Sequence, residues 1–492
     1  MLVPLTEITA SETQFDCCIV GAGPAGITLA LALANRGWKV ALIESGGWAF
    51  SSAAQSLNDG YVSGDPYPDL SATRLRYLGG TSNHWGGFCR PLDAEDFESR
   101  PERPGWPIKR DDLDPYLTAA GEILEIGKSF PADRLLQQSG GLLKEIIFHF
   151  SPPVRFGEKY FNALAASPNI ALCLDATVTG FEHERGRVTG LLVKNASGDA
   201  GLVRSQVVTL AAGAIENVRL LLWGNEQLGG ALVENPSLLG RFVMDHPHFT
   251  TADALLVDER LLHADPSVRV LSRPVFFISP SADFMQTHGV LNCCMRLRKA
   301  GYSDTRALIA DLACVAPETA QWAASLFDRD LICGAHIHAV WEQLPRSENR
   351  IKLVDEKDAM GVPRVHLHLT RSDLERHTAL ACTEALGTYM AAAGIGRLKI
   401  KAWLQDNEPY PANDELVGPH QLGGTRMSAT SKDGIVDRNC RVFGTSNLYV
   451  ASGSVFPAGG HANPTLTIVQ ITLRLADHLH RERLSRTRTT KL

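Results

Sequence analysis

The chain has 492 residues, too many for one core and enough for two or three domains. With 44% hydrophobic and 21% charged residues it has the composition of an ordinary soluble globular protein. A net charge of −6 excludes a global field for nucleic acid, and no apolar run reaches the ~18 residues a membrane span needs. The N-terminal stretch MLVPLTEITASETQ lacks a positive segment, an apolar centre and a small-residue cleavage site, so no signal peptide is expected. The 10 cysteines are scattered, and Cys17/Cys18 and Cys293/Cys294 are neighbours on strand-like runs that point to opposite faces. That pattern is neither a disulfide framework nor a zinc site, and it fits reduced thiols in the cytoplasm.

Residues 15–45 read FDCCIVGAGPAGITLALALANRGWKVALIES. They imply a buried strand over 15–20, a sharp turn over 21–26, a helix over 27–35 closed by Gly37, and a second strand over 39–43. Gly21 permits the tight turn, Gly23 lets backbone approach a pyrophosphate, and Gly26 lets helix and strand pack closely. The phosphates would meet unpaired N–H groups at the positive end of the helix. Glu44, 18 residues after Gly26, can accept hydrogen bonds from ribose hydroxyls and would repel a 2′-phosphate. A glycine-rich turn without a ligand is the alternative. Strand, glycines, helix, strand and acid in that order favour a dinucleotide, NAD or FAD.

Residues 50–110 carry few regular periods, and within them 78–87 read LGGTSNHWGG, a glycine-flanked loop suited to pressing against something flat. Proline-rich turns follow, and a helix is expected to begin at 109–113, where Asp111 and Asp112 suit its dipole. Strands are expected at 170–174, 177–181, 188–193 and 206–210, as a β-meander. The last of them runs through Gly213 into a helix over 218–223, a second strand-to-helix entry with more backbone N–H groups to offer. Residues 246–405 read as a second domain, with strands at 276–278, 290–295, 332–342, 350–353 and 365–369. Helices are expected there over 303–316 and 372–393, each opening on a serine able to cap it. After Pro409 glycine-dense motifs return, 447–454 read as a buried strand ending in a turn, and 466–479 form an amphipathic last helix. The basic residues 481–492 read as a solvated tail, so the end of the chain is expected to return to the first domain.

Four separated segments together resemble the glucose–methanol–choline (GMC) oxidoreductases: the N-terminal fingerprint, LGGTSNHWGG, AAGAIENVRLLL, and the block from His420 to Leu479. That block holds HQLGGTRMS, VDRNCRVFG, NLYVASGSVFP and GGHANPTLTIV, and Asp245-His246-Pro247 and EQLPRSENR (342–350) match as well. The forms HQLGGTRM and ANPTLT are similar to those of the pyranose oxidases and bacterial sugar dehydrogenases. The resemblance implies an α/β fold: a Rossmann-like FAD-binding domain with a β-meander, and a substrate domain whose antiparallel sheet roofs the flavin. Mapped here, the FAD domain takes 1–245 and 406–480, the substrate domain 246–405, and the tail 481–492. The implied FAD contacts are Gly21, Gly23, Gly26, Glu44, Gly80, Asn83, His84, Val178, Gly213, Gly453, Ser454, Asn463 and Thr465.

The resemblance also implies a catalytic pair, here His420 and Asn463. Oxidising an alcohol needs a base for the hydroxyl proton and an acceptor for the hydride, which flavin N5 supplies. A neutral imidazole with a pKa of ~6.5 suits the proton, and an amide can hold the substrate oxygen. A loop histidine bonded to backbone is the plain alternative for His420. His461, two residues before Asn463, is a candidate second acid/base or substrate ligand, against a bystander pointing away. His84 stands where some pyranose oxidases attach FAD covalently, the alternative being a ring packed on the flavin. The pairs His246/His248, His336/His338, His366/His368 and His478/His480 suggest a metal, but none has a third ligand at suitable spacing, so no metal is expected. His336 and His338 are expected as pocket polar groups, and His246 as a structural part of its turn.

The function expected is FAD-dependent oxidation of a CH–OH group in a sugar, glycoside or polyol. A non-sugar alcohol, a hydroxynitrile-lyase-like reaction and an NAD-linked enzyme are the alternatives. Oxygen, a quinone or a redox protein could each take the electrons; no nucleic-acid partner is expected.

Overall fold

Phe15–Val20 becomes a central strand of a seven-stranded sheet, since a strand covered on both faces needs an apolar run such as residues 17–20. The computed structural model describes residues 1–10, 14–127, 130–256, 275–299, 332–411 and 419–489, and the helix expected over 303–316 lies outside these residues. The parallel part of the sheet runs Ile170–Cys173, Val40–Ile43, Phe15–Val20, the C-terminal half of Ala200–Leu210, then Leu448–Val450. Ile170–Cys173 therefore leaves the expected meander for the parallel sheet. Thr177–Glu184, Arg187–Lys194 and the N-terminal half of Ala200–Leu210 make the antiparallel remainder. The chain steps from Phe15–Val20 to one side first and to the other later, so the strand order reverses there. Ligands of such sheets bind in the crevice at that point, beyond the carboxyl ends of the strands.

Close approach fixes two glycines at the crevice. A Cβ on Gly21 (φ +100°) would lie 2.7 Å from the Ala211 carbonyl oxygen, and one on Gly26 would lie 1.8 Å from the Gly21 carbonyl oxygen. Helix Pro24–Ala34 thus sits tight on the sheet, and its outer side packs against the last helix, Thr465–Thr489. That last helix runs on through most of the expected tail. Arg486 pairs with Glu482 at 3.3 Å, and Arg483 reaches Asp16 at 3.3 Å, which gives the basic turns local partners. No helix among the described residues is long and apolar enough to cross a membrane.

A second, eight-stranded antiparallel sheet runs Gly396–Ile400, His248–Leu256, Ile332–Trp341, Cys293–Lys299, Val275–Pro280, Leu143–Phe150, Phe88–Cys89, with Arg134–Leu135 paired to Leu143–Phe150. Three of its strands come from before residue 246, so the sheet crosses the boundary drawn from the sequence. One face carries helix Asp373–Ala392, whose Leu386 and Met390 pack in one core with Phe249 and Trp341, and Ser372 caps that helix by accepting the Glu375 N–H. The other face presents Phe148, Phe277 and Cys294. Arg350–Lys357 and Pro363–Leu369 do not join this sheet. They pair with each other, Pro363–Leu369 also pairs with Gly60–Gly64, and this small sheet rests on helix Ala214–Gln227 through Ile215, Val218 and Val365. At 110–116 two 3₁₀ turns replace the expected helix start, because Pro115 has no N–H to close an α-turn; the helix begins at Leu117–Leu124.

Buried Arg219 clamps these parts together. It pairs with Asp358 at 2.6 Å and Glu216 at 3.3 Å and donates to the carbonyls of Leu57, Val362 and Pro363. Arg219→Leu would strand the Asp358 carboxylate in the interior, at a cost of about 3–5 kcal/mol. Urea unfolding measures it, and a loss below ~1 kcal/mol contradicts the clamp.

Candidate active site

The N-termini of helices Pro24–Ala34, Ala214–Gln227 and Thr465–Thr489 converge on one cavity of about 710 Å³, with Pro24, Ala214 and Thr465 in its wall. First-turn N–H groups lack intrahelical acceptors and form the positive end of each helix, so the wall is built for an anionic group. Cβ atoms added to Gly23 or Gly213 would meet nothing within 4 Å, which leaves open space against the backbone where a pyrophosphate needs it. Loop 78–87 docks on the fingerprint turn through the Gly79 N–H, which donates to the Ala22 carbonyl at 2.8 Å. Glu44 lines the cavity and accepts from the Ala22 N–H at 2.8 Å and the Gly46 N–H at 3.0 Å. Burial raises its pKa, against those two hydrogen bonds, and its oxygens keep lone pairs for ribose hydroxyls. These residues fit FAD.

His420 and Asn463 share the same wall, with Nε2 of His420 2.9 Å from Nδ2 of Asn463. The other ring nitrogen of His420 lies 2.9 Å from Nδ1 of His246. One carboxylate holds both histidine backbones: Asp245 Oδ1 accepts the His420 N–H at 2.6 Å and the His246 N–H at 2.7 Å. The Tyr67 hydroxyl donates to Asp245 Oδ2 at 2.7 Å. Burial lifts the Asp245 pKa to about 6, against the pull of those donors. Burial, and then His248 and His246, hold the His420 pKa well below its ordinary value, so the ring is neutral and able to take a proton.

Residues 345–472 match the family model for GMC oxidoreductase, and residues 16–235 match that for FAD dependent oxidoreductase. The chain belongs to the GMC oxidoreductases. It is 23% identical to a 2-methyl-1,2-propanediol dehydrogenase of Mycolicibacterium austroafricanum, over 96% of this chain and 96% of the relative. To a C-glycoside 3-oxidase of Microbacterium trichothecenolyticum it is 24% identical, over 82% of this chain and 75% of the relative. The solved pyridoxine 4-oxidase from Mesorbium loti shares the fold, with a TM-score of 0.61 at 18% identity, covering 95% of this chain and 99% of that one. The enzyme is an FAD-dependent oxidoreductase, and the NAD-linked alternative falls away.

In this GMC oxidoreductase Gly21, Gly23, Glu44, Gly80, His84, Val178, Gly213, Gly453, Asn463 and Thr465 all line the cavity. Four other expected site residues stand behind the wall. Gly26 packs on Gly21, and Asn83 donates to the Leu78 carbonyl at 3.0 Å, bracing its own loop. The Ser454 hydroxyl is taken up by Ser452 at 2.6 Å and Thr425 at 2.7 Å. His461 is buried with Nε2 4.0 Å from Asp93 Oδ2, and burial, against the Asp93 charge, brings its pKa to about 3. Neighbours two apart on an irregular turn need not face the same way, which separates His461 from Asn463.

The His-x-His pairs resolve differently from one another. His336 bonds Asp253 at 2.8 Å and His338 faces His248 with ring centres 5.9 Å apart, so neither joins the described wall. His366 and His368 both contact the Ser63 hydroxyl, at 2.8 and 2.9 Å. No group of three metal-ligating side chains occurs among the described residues. Wall residues that the sequence reading did not single out include Arg76, Gln421, Arg296 and Arg298. Arg76 pairs with Glu216 at 2.7 Å; burial alone would raise that carboxyl, but Arg76, Arg219 and Arg74 bring it to about 2. Arg296 and Arg298 are two apart on one strand, a spacing that puts both on one face and could have been read.

Proposed function

We propose that the protein oxidises a CH–OH group of a sugar, glycoside or related polyol, with His420 as general base. The observation that carries this reading is the His420–Asn463 contact of 2.9 Å on the cavity wall, with the His420 ring held neutral. His420 takes the hydroxyl proton at Nε2, and the Asn463 amide holds the oxygen so that the C–H bond points one way. When bound, FAD supplies the hydride acceptor. Two relatives named for a diol and a C-glycoside support the substrate class, as do polar Gln421, Arg296 and Arg298 in the wall. Among the described residues eight cysteines are buried free thiols, which supports a reducing, cytoplasmic setting.

The test is anaerobic mixing of the yellow holoenzyme with 2-methyl-1,2-propanediol, a C-glycoside and fructose to follow flavin bleaching, and then turnover in air with dye reduction and peroxide release followed in parallel. At least one alcohol is expected to bleach the flavin, and the dye-to-peroxide ratio then identifies the electron acceptor class. Consumption of a substrate without bleaching contradicts the redox reading and favours the lyase. His84, on the cavity wall, is tested as a covalent anchor by acid precipitation. Colour in the pellet supports the bond, and colour wholly in the supernatant excludes it.

A further inference from the structure

Two imidazole nitrogens face each other in the site, His246 Nδ1 and His420 Nδ1, 2.9 Å apart. A contact that short needs one proton between them, since two lone pairs or two N–H groups would repel. The other nitrogen of His246, Nε2, lies 3.3 Å from the Gly459 carbonyl oxygen. A carbonyl has no proton to give, so Nε2 of His246 carries the N–H. Burial brings the His246 pKa to about 4, and this ring too is neutral, with one proton only. Its Nδ1 is therefore a lone pair, and the shared proton belongs to His420 Nδ1. That leaves His420 Nε2 bare, accepting from the Asn463 amide at 2.9 Å.

We infer that His246 is a positioning residue that sets the tautomer of His420, keeping the lone pair on Nε2, the nitrogen beside Asn463. The inference rests on the reading of His420 as the base. It also replaces the view of His246 as a plain part of its turn. Gly459 lies four residues before Asn463 in the same loop, so one imidazole joins the two segments that carry the pair. With an apolar side chain at 246 the His420 Nδ1–H would lose its acceptor, and the proton would move to Nε2, where a base cannot have it. An asparagine there can restore both contacts, its carbonyl accepting from His420 and its amide donating to Gly459.

The experiment uses the FAD-loaded protein labelled with ¹⁵N-histidine, the His420 signals being assigned by their absence in His420→Gln. In the unaltered holoenzyme Nδ1 is expected to read as protonated and Nε2 as bare. His246→Leu should abolish that pattern and His246→Asn should keep it. With whichever alcohol bleaches the flavin fastest, His246→Leu should lose about 10²-fold in kcat, and His246→Asn no more than about tenfold. A bare Nδ1 in the unaltered protein overturns the inference, and so does an unchanged pattern in His246→Leu. If the Leu variant does not hold FAD, the unaltered protein and the Asn variant still decide. The spectra need no substrate, so a failed alcohol screen counts against the proposed function and leaves the tautomer measurement standing.

Discussion

His420→Ala is expected to bind FAD as the unaltered protein does and to turn over at least about 10²-fold more slowly. The helix N-termini and open glycines that line the cavity belong to other segments, and His420 meets the rest of the site through its backbone N–H, two ring hydrogen bonds and a ring contact with His248. Alanine keeps the backbone bond to Asp245 and removes the proposed proton acceptor with its ring contacts to His246, His248 and Asn463. The pH profile carries a second sign. A base works in its deprotonated form, and burial with His248 and His246 keeps this ring deprotonated as pH falls. The acid limb of kcat/KM should therefore lie below the ~6.5 of an ordinary histidine. Steady-state rates at fixed flavin content check both. Near-normal turnover of the alanine variant, or an acid limb above that value, contradicts the assignment.

The second large effect separates two glycines of one motif. Gly26→Ala puts a methyl group 1.8 Å from the Gly21 carbonyl oxygen, a backbone clash that cannot be relieved by a rotamer change. Loss of folded protein is expected. Gly23 sits at φ −85°, ψ −170°, extended backbone open to any residue, and an added Cβ meets nothing within 4 Å. Gly23→Val should fold and melt close to the unaltered protein yet bind FAD at least about 10²-fold more weakly, because the new side chain fills the space left for the pyrophosphate. Thermal melts with flavin titration separate the outcomes. Full FAD affinity in Gly23→Val contradicts the placement of the cofactor.

The first strand-turn-helix was legible because all its determinants are local: an apolar run, glycines at fixed offsets and an acid at the end of the next strand. Ser372 as a cap was legible for the same reason. The second sheet was legible in part: strands expected at 276–278, 290–295 and 332–342 join it, but Leu143–Phe150, which carries Phe88–Cys89 on its other edge, pairs with Val275–Pro280, and no local period records a partner so far away. His246 was seen as part of a turn motif and as half of a His-x-His pair, and its contact with His420 was not legible because that partner stands 174 residues on. Alternation on a strand suggested a shared face for His336 and His338. Bulges in the neighbouring strand, between Thr250 and Ala252 and between Ala254 and Leu256, and the Asp253 carboxylate give the two rings different surroundings. Ser454 and Asn83 are polar residues in glycine-rich loops, and such residues bond loop to loop as readily as loop to ligand.

The proposed reaction needs a proton acceptor and a flavin serving one cavity. Anaerobic rapid mixing of the unaltered and His420→Ala holoenzymes, matched for FAD, with an alcohol from the screen tests that most directly. Fast bleaching of the yellow band in the first and bleaching at least about 10²-fold slower in the second is the predicted result. Equal rates in the two proteins would contradict it.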